Sequence, residues 1–198
     1  MGFSGHLVFA CSERPLLEAP LFNSTDPGLR DDVHEWQPRP GGWQTLQLEQ
    51  GIWEDEYLST LVEWTGAPAC VADVSDSSIA LVTGLDANGN RWQAWLNLDN
   101  AAALLVEEPE DVGDVSLWTA APEFEEAIGR RRAALDAEVP TDAEGALMWA
   151  SAAGVRASAQ QPLIEELLRA RETFVEALFD ALLDELGFPE AAHFAPQP

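Results

Sequence analysis

The pattern of apolar and polar positions is clearest in residues 79–98. Residues 79–85 form an apolar, partly β-branched run, and residues 91–98 form a second run whose even-numbered positions are apolar. Between them, residues 86–90 contain Asp, Asn and Gly, which adopt turn conformations at low cost. This pattern predicts a β-hairpin at the centre of the fold. Because Trp95 adds an apolar side chain to the opposite face, the second run favours a central strand over an edge strand.

Other short apolar runs predict further strands. They lie at residues 5–10, 42–48 and 69–72, and the second of them alternates in the manner of a half-buried strand. Residues 12–40 separate the first two runs and are rich in Pro, Asp and Gly, which predicts a long irregular connection. Together with the hairpin, these runs predict a small antiparallel sheet.

Helical spacing of apolar residues predicts one helix before the hairpin and three after it. Residues 54–65 end at a natural stop, Gly66, and residues 161–186 carry a long stripe of Leu and Phe. Residues 121–138 have a proline in the first turn, and residues 141–153 begin with the capping box TDAE. The sequence therefore predicts an α+β fold in which a small antiparallel sheet is joined by these four helices.

The predicted elements fit one domain built from two parts. Residues 1–119 form a mixed, β-rich part that includes the long N-terminal connection, and residues 120–188 form a helical part packed on it. Residues 189–198 form a tail. A chain of 198 residues is long enough to bury a substantial core, and it contains no apolar run that would span a bilayer. With no recognisable export signal, we expect a cytoplasmic protein.

The charge of the chain changes the functional picture most. Its 35 acidic residues face only ten basic residues, all of them arginine, which gives a net charge of −25. We therefore do not expect the chain to bind nucleic acid through a basic face, because phosphate contacts need clustered Lys and Arg. A basic protein partner would be attracted to such a surface. The alternative, that the acidity serves only solubility, stays open.

The most acidic stretch, residues 107–114, is the first candidate for contact with a basic partner. It is broken by Pro and Gly, as an exposed loop is, and we expect its carboxylates to attract the partner. The predicted partner-binding carboxylates are Glu107, Glu108, Glu110, Asp111 and Asp114. Trp36 and Trp43 are the candidate apolar anchors, since binding hot spots favour Trp within a charged surround.

Candidate chemistry elsewhere is sparse, and no nucleophile, phosphate-loop or dinucleotide motif is present. The 86–90 turn has Asp and Asn at the first, third and fifth positions of a calcium loop, but Arg91 replaces its glycine and Asn97 its glutamate. We therefore read it as a hairpin turn and expect neither a metal nor a cofactor. A ligand pocket beneath the 12–43 connection is the alternative site. Its predicted residues are His34, Glu35, Trp36 and Arg39.

An acidic, Trp-rich α+β chain without a catalytic motif resembles small bacterial immunity and antitoxin proteins, in type and without a shared motif. The resemblance implies an interaction module that inhibits a basic protein. Two other functions stay open. One is a small enzyme or ligand-binding protein with a Trp-lined pocket under the 12–43 connection. The other is a structural protein that forms a homodimer through the apolar stripe of residues 161–186.

Overall fold

The computed structural model describes residues 2–22, 33–106, 122–156 and 160–188. Six strands form one antiparallel sheet in the order β2-β3-β1-β4-β5-β6. The strands are β1 (Gly5–Cys11), β2 (His34–Glu35), β3 (Trp43–Glu49), β4 (Ala69–Ser75), β5 (Ile79–Leu85) and β6 (Arg91–Leu96). The α-helices of these ranges are α1 (Tyr57–Thr65), α2 (Leu98–Leu104), α3 (Pro122–Ala152), α4 (Gln161–Arg169) and α5 (Val175–Glu185). The α+β class predicted from the sequence is confirmed.

The predicted hairpin is formed by β5 and β6, and its turn is held by one side chain. Asp86 Oδ1 accepts the backbone N–H groups of Asn88 and Asn90, both at 2.8 Å, and its Oδ2 accepts the Asn90 amide. The expectation that the second strand is central is wrong, because β6 ends the sheet. Its even-numbered side chains are buried against the helices, whereas on the other face Arg91 and Gln93 are exposed.

The sheet buries a different set of elements on each face. Helices α2 to α5 pack on the face to which Leu7, Phe9 and the even-numbered residues of β6 point. On the other face, α1 and two 3-10 segments, Leu16–Glu18 and Pro20–Phe22, cover residues of β1, β3 and β4. The apolar cluster on the helical side contains residues of both the sheet and α3 to α5, which is why the helices lie on the sheet.

Aromatic side chains fill the core between the sheet and the helices. Trp43 stacks on Phe9 with ring centroids 4.9 Å apart, and Phe188 meets both rings edge-on. The Trp149 indole N–H donates to the carbonyl oxygens of Ala69 and Leu85, each at 3.2 Å. These bonds satisfy a buried polar group while the ring packs, so α3 has a defined position over β4 and β5.

The predicted boundary between two helices at residues 138–141 is wrong. A single helix, α3, passes through Pro140, although proline has no N–H to donate to the carbonyl of Asp136. The residues around the proline are buried on the sheet, and this burial offsets the lost hydrogen bond. They are Leu135, Val139, Ala143 and Ala146.

The predicted single helix over 161–186 is also wrong, because the chain forms α4 and α5 with a break between them. Ala170 leaves the helical conformation, since its φ of −66° and ψ of 157° are those of extended backbone. After it, the Glu172 N–H donates to Asn97 Oδ1 at 3.0 Å. Most of the apolar stripe of both helices is buried in the same cluster as the sheet, whereas Leu163 and Phe174 are exposed. It therefore packs within the chain, and the described residues leave little of it for a dimer seam.

Other boundaries differ by less. The helix predicted over 54–65 begins at Tyr57 and ends, as expected, at Gly66, whose φ of 66° closes it in the left-handed conformation. The acidic stretch at 107–114 and the tail at 189–198 lie outside the described residues. Every helix in the described ranges is too short or too polar to cross a membrane.

Candidate functional site

On the face of the sheet that carries α1, parts of β5 and β6 are not covered by any described helix. The apolar cluster beneath α1 takes its fully buried sheet residues from β1, β3 and β4. On the same face of β6, Arg91 and Gln93 are exposed and Trp95 is half-buried. Leu81 of β5 is half-buried as well. A mixed polar and apolar surface is thus presented beside α1.

The strand register decides which side chains meet on this face. His6 of β1 lies opposite Asp73 of β4, which lies opposite Leu81 of β5, which lies opposite Trp95 of β6. In an antiparallel sheet, such directly opposed side chains are neighbours on one face. A histidine and a carboxylate therefore lie in the same row as two apolar side chains, although they are far apart in the chain.

The segment before α1 closes this surface into a groove, which we call the sheet groove. Trp53 and Asp55 come from that segment, and the groove has a volume of about 250 Å³. Trp53 is buried, and Asp55 is exposed. The complete lining is His6, Trp53, Asp55, Leu58, Val71, Asp73, Leu81, Thr83, Arg91 and Gln93.

A second groove continues around β6, and we call it the edge groove. It measures about 550 Å³ and shares Leu81, Arg91 and Gln93 with the sheet groove. Its far wall is formed by Glu138 and Asp142 of α3. The two grooves make one surface that has carboxylates at each end and indole rings along it, with Arg91 as its one basic lining residue.

Burial shifts the pKa of a titratable group at each end of this surface. Desolvation lowers the pKa of His6 below its ordinary value, and it outweighs the opposing attraction of Asp73 and Asp55. His6 Nε2 lies 3.8 Å from Asp73 Oδ1, and its buried Nδ1 has no hydrogen-bond partner among the described residues. At neutral pH the imidazole is therefore uncharged.

At the other end, burial and the neighbouring Glu138 raise the pKa of Asp142 to about 6. Two carboxylates that repel each other in a partly dry site are stabilised by a cation placed between them. The half-buried indole ring of Trp95 adds an attraction for guanidinium and ammonium groups. The surface is therefore suited to basic side chains.

The four residues of the predicted pocket alternative do line one groove. His34, Glu35, Trp36 and Arg39 surround about 430 Å³ together with Asp180 of α5. Trp36 is half-buried, and its indole N–H donates to Gln47 Oε1 at 3.1 Å. The prediction that this groove binds a ligand stays untested.

The chemistry of that groove is dominated by an internal ion pair. The Arg39 side chain is only 3% exposed, and its guanidinium donates to the carboxylates of Asp180 and Asp184. It also reaches the Asp180 carbonyl oxygen at 3.4 Å. These bonds join the segment after β2 to α5. A guanidinium bound in this way has an evident structural role, and a ligand would have to compete with two carboxylates for it.

The predicted partner-binding residues have different placements. Trp43 is buried in the aromatic core with 6% of its surface exposed, so it is a packing residue and offers little area to a partner. Trp36 lies at the surface in the groove just described. The five acidic residues predicted to contact a partner lie outside the described residues, and their role stays a prediction.

The hairpin turn is also accounted for without a metal. The amide groups of Asn88 and Asn90 point at Asp86, and these hydrogen bonds, although opposed by burial, hold the pKa of its carboxyl below the usual value. Within the described ranges, no cluster of three His, Cys, Asp or Glu side chains is arranged to bind a metal ion.

Sequence reasoning missed His6, Asp55 and Asp73 as members of one site. Their only local signal is that His6 and Asp73 are polar residues next to apolar strand residues. Their proximity depends on the pairing of β1 with β4, which no short-range spacing reveals.

Comparison of the chain with known proteins finds no matching family model, no similar curated protein and no similar solved structure.

Proposed function

We propose that this chain is a cytoplasmic, acidic protein-interaction module that binds a basic protein partner, as bacterial immunity and antitoxin-like inhibitors do. The observation that carries the proposal is the continuous surface of the sheet and edge grooves, which combines carboxylates at both ends with the half-buried Trp95. Aromatic anchors surrounded by charge are the usual composition of a binding hot spot.

The whole-chain charge supports the same proposal through kinetics. A net charge of −25 attracts a basic protein over several ångströms and speeds its encounter with the chain. The acids at 107–114 would add to this steering. Salt shortens the range of the attraction, to about 10 Å at 0.1 M ionic strength, so association is expected to slow as salt is raised.

The first test is capture of the partner, followed by a variant that removes the groove carboxylates. A tagged chain is used as bait in lysate of the source organism at low and at moderate salt, and the bound protein is identified by mass spectrometry. Binding of that purified protein is then measured against two variants of equal charge. The groove variant carries D55N, D73N, E138Q and D142N, and the control carries E18Q, E63Q, E123Q and E125Q.

We expect one basic protein to be recovered in stoichiometric amount and to be lost at the higher salt. The groove variant should weaken its binding by about a thousandfold, because it removes four carboxylates and interfacial charge pairs contribute on the order of 1 kcal/mol each. The control should change mainly the association rate, by about threefold. Recovery of no basic protein at either salt would refute the proposal, and equal losses in both variants would show that only overall charge matters.

A further inference from the structure

Among the described residues, no strand pairs with the outer edge of β6. The Asp86 N–H donates to the Asn90 carbonyl at 3.0 Å, and hydrogen-bonded pairs then recur at every second residue of the hairpin. The even-numbered residues of β6 are therefore bonded to β5. Gln93 and Trp95 direct their N–H and C=O groups away from the sheet, and no described residue bonds to those groups.

The edge groove gives this strand two chemically different sides. On one side lie the half-buried Leu81 and Trp95, which are directly opposed across β5 and β6. On the other side lie the carboxylates of Glu138 and Asp142 from α3. Because successive side chains of a strand point to opposite faces, a segment added here would place alternate side chains against apolar surface and against carboxylates.

We propose that β6 accepts, by strand addition, an extended segment of the basic partner in which Arg or Lys residues alternate with apolar residues. The inference rests on the proposed function and specifies how the partner is held. Main-chain hydrogen bonds to Gln93 and Trp95 supply affinity, and the two sides of the edge groove supply specificity. The basic side chains also relieve the repulsion between Asp142 and Glu138.

Charge argues for this occupant over a second copy of the chain. An exposed edge strand is a site for pairing with any extended segment, including the same strand of another molecule. Two copies would each bring a net charge of −25, and both would bring the carboxylates of α3 to the interface. A basic segment gains from the same field that two copies would have to overcome.

The test uses two peptides of identical composition and a matched pair of variants. The probe is a short, acetylated, fluorescent peptide in which arginine and valine alternate, and its control has the same residues in two blocks. Fluorescence anisotropy measures the affinity of the full chain for each. The variants are Gln93→Pro, which removes the outward N–H, and Gln93→Ala, which keeps it. Both lose the side-chain bond to Thr83, so they differ mainly in the backbone donor.

We expect the alternating peptide to bind about tenfold more tightly than the block peptide and Gln93→Pro to lose about tenfold relative to Gln93→Ala. Hydrogen exchange of the unmodified chain gives an independent readout, since the alternating peptide should protect the amides of Gln93 and Trp95. This measurement decides the question even if the proline variant fails to fold. Equal affinity for both peptides, or no protection of these amides, would overturn strand addition.

The same experiments separate this inference from the proposed function. If a basic partner is captured and binds Gln93→Pro as well as Gln93→Ala, the function stands and the edge of β6 is not the site. If no basic protein is captured but the alternating peptide protects Gln93 and Trp95, the edge binds strands and the proposed function is wrong. Sedimentation that shows a dimer dissociated by Gln93→Pro would identify a second copy as the occupant and overturn the proposed one.

Discussion

At the scale of single residues, several buried polar side chains of this protein are held by specific partners. Asp86 organises a turn, and Asn97 joins three segments by donating to the Ser78 and Glu172 carbonyls at 2.7 and 2.9 Å. Asp142 differs from both, because it is half-buried beside another carboxylate. Carboxylates whose pKa is raised by burial and by a neighbouring charge are common at functional sites.

The first prediction concerns the pH dependence that Asp142 adds to stability. Its pKa in the folded chain is about 6, above the ordinary value of 3.8. At a pH between the two pKa values, the Asp142 carboxyl is protonated in the folded chain and ionised in the unfolded chain. Its favourable contribution to the free energy of unfolding is therefore complete at low pH and is lost as the pH rises through about 6. Asp142→Asn should therefore raise the free energy of unfolding at pH 7 by about 1 kcal/mol, after allowance for solvent screening.

Urea unfolding of the two proteins at several pH values checks this prediction. The advantage of Asp142→Asn should shrink as the pH falls from about 7 to about 5, because the wild-type carboxyl then becomes protonated in the folded chain. The control is Glu144→Gln, in the same helix as Asp142, since the Glu144 side chain is exposed. Asp180→Asn would not serve, since Asp180 is bonded to Arg39. A constant difference at all pH values would contradict the assignment.

At the scale of elements, the position of α3 on the sheet depends on small residues beneath Trp92. A Cβ atom added at Gly84 would lie 1.9 Å from the Trp92 indole nitrogen, and one added at Gly145 would lie 2.9 Å from the Trp92 Cβ. Trp92 is therefore packed with its ring against β5 and its Cβ against α3, and neither glycine has room for a methyl group. This contact holds α3 close to β6 and so forms the wall of the edge groove.

The second prediction compares two glycines of the same helix. Gly145→Ala should lower the free energy of unfolding by about 2 kcal/mol, because the added methyl group overpacks the contact with Trp92. Gly129→Ala should raise it by about 0.5–1 kcal/mol, because a Cβ there meets open space and alanine favours the helix. Urea unfolding measures both. Stabilisation by both substitutions would mean that α3 does not pack on Trp92 in this way.

At the scale of the whole molecule, negative charge is in large excess over the positive charge available to pair with it. Several arginines are already bonded within the fold, as Arg132 is to Asp99 and Asp136. Most of the other carboxylates among the described residues are exposed. Their mutual repulsion destabilises the folded chain at low salt, and a basic partner would relieve it on binding.

The third prediction follows from this repulsion. Raising NaCl from low salt to about 0.3 M at neutral pH should increase the melting temperature by about 3 °C, since screening of the repulsion is worth about 1 kcal/mol. The control is the same titration near pH 4.1, the calculated isoelectric point, where the increase should vanish. A fall in melting temperature at neutral pH would show that ion pairs outweigh repulsion.

Short-range patterns in the sequence were enough to predict most strands, the α+β class and the hairpin turn. Alternation and turn residues act over a few positions, as in residues 79–98, and the left-handed φ at Gly66 likewise reflects a local preference. The continuity of α3 through Pro140 could not be predicted in this way. It depends on burial against the sheet, which outweighs the local cost of proline.

The sequence by itself determined the charge of this protein, its element types and the absence of recognised catalytic motifs. Only the tertiary structure decided that β6 is an edge strand, that most of the stripe of α4 and α5 is internal, and that His6 lies beside Asp73. These features depend on strand order, helix docking and register. Each joins residues distant in the chain, and the burial that favours one arrangement over another exists only when the whole fold is formed.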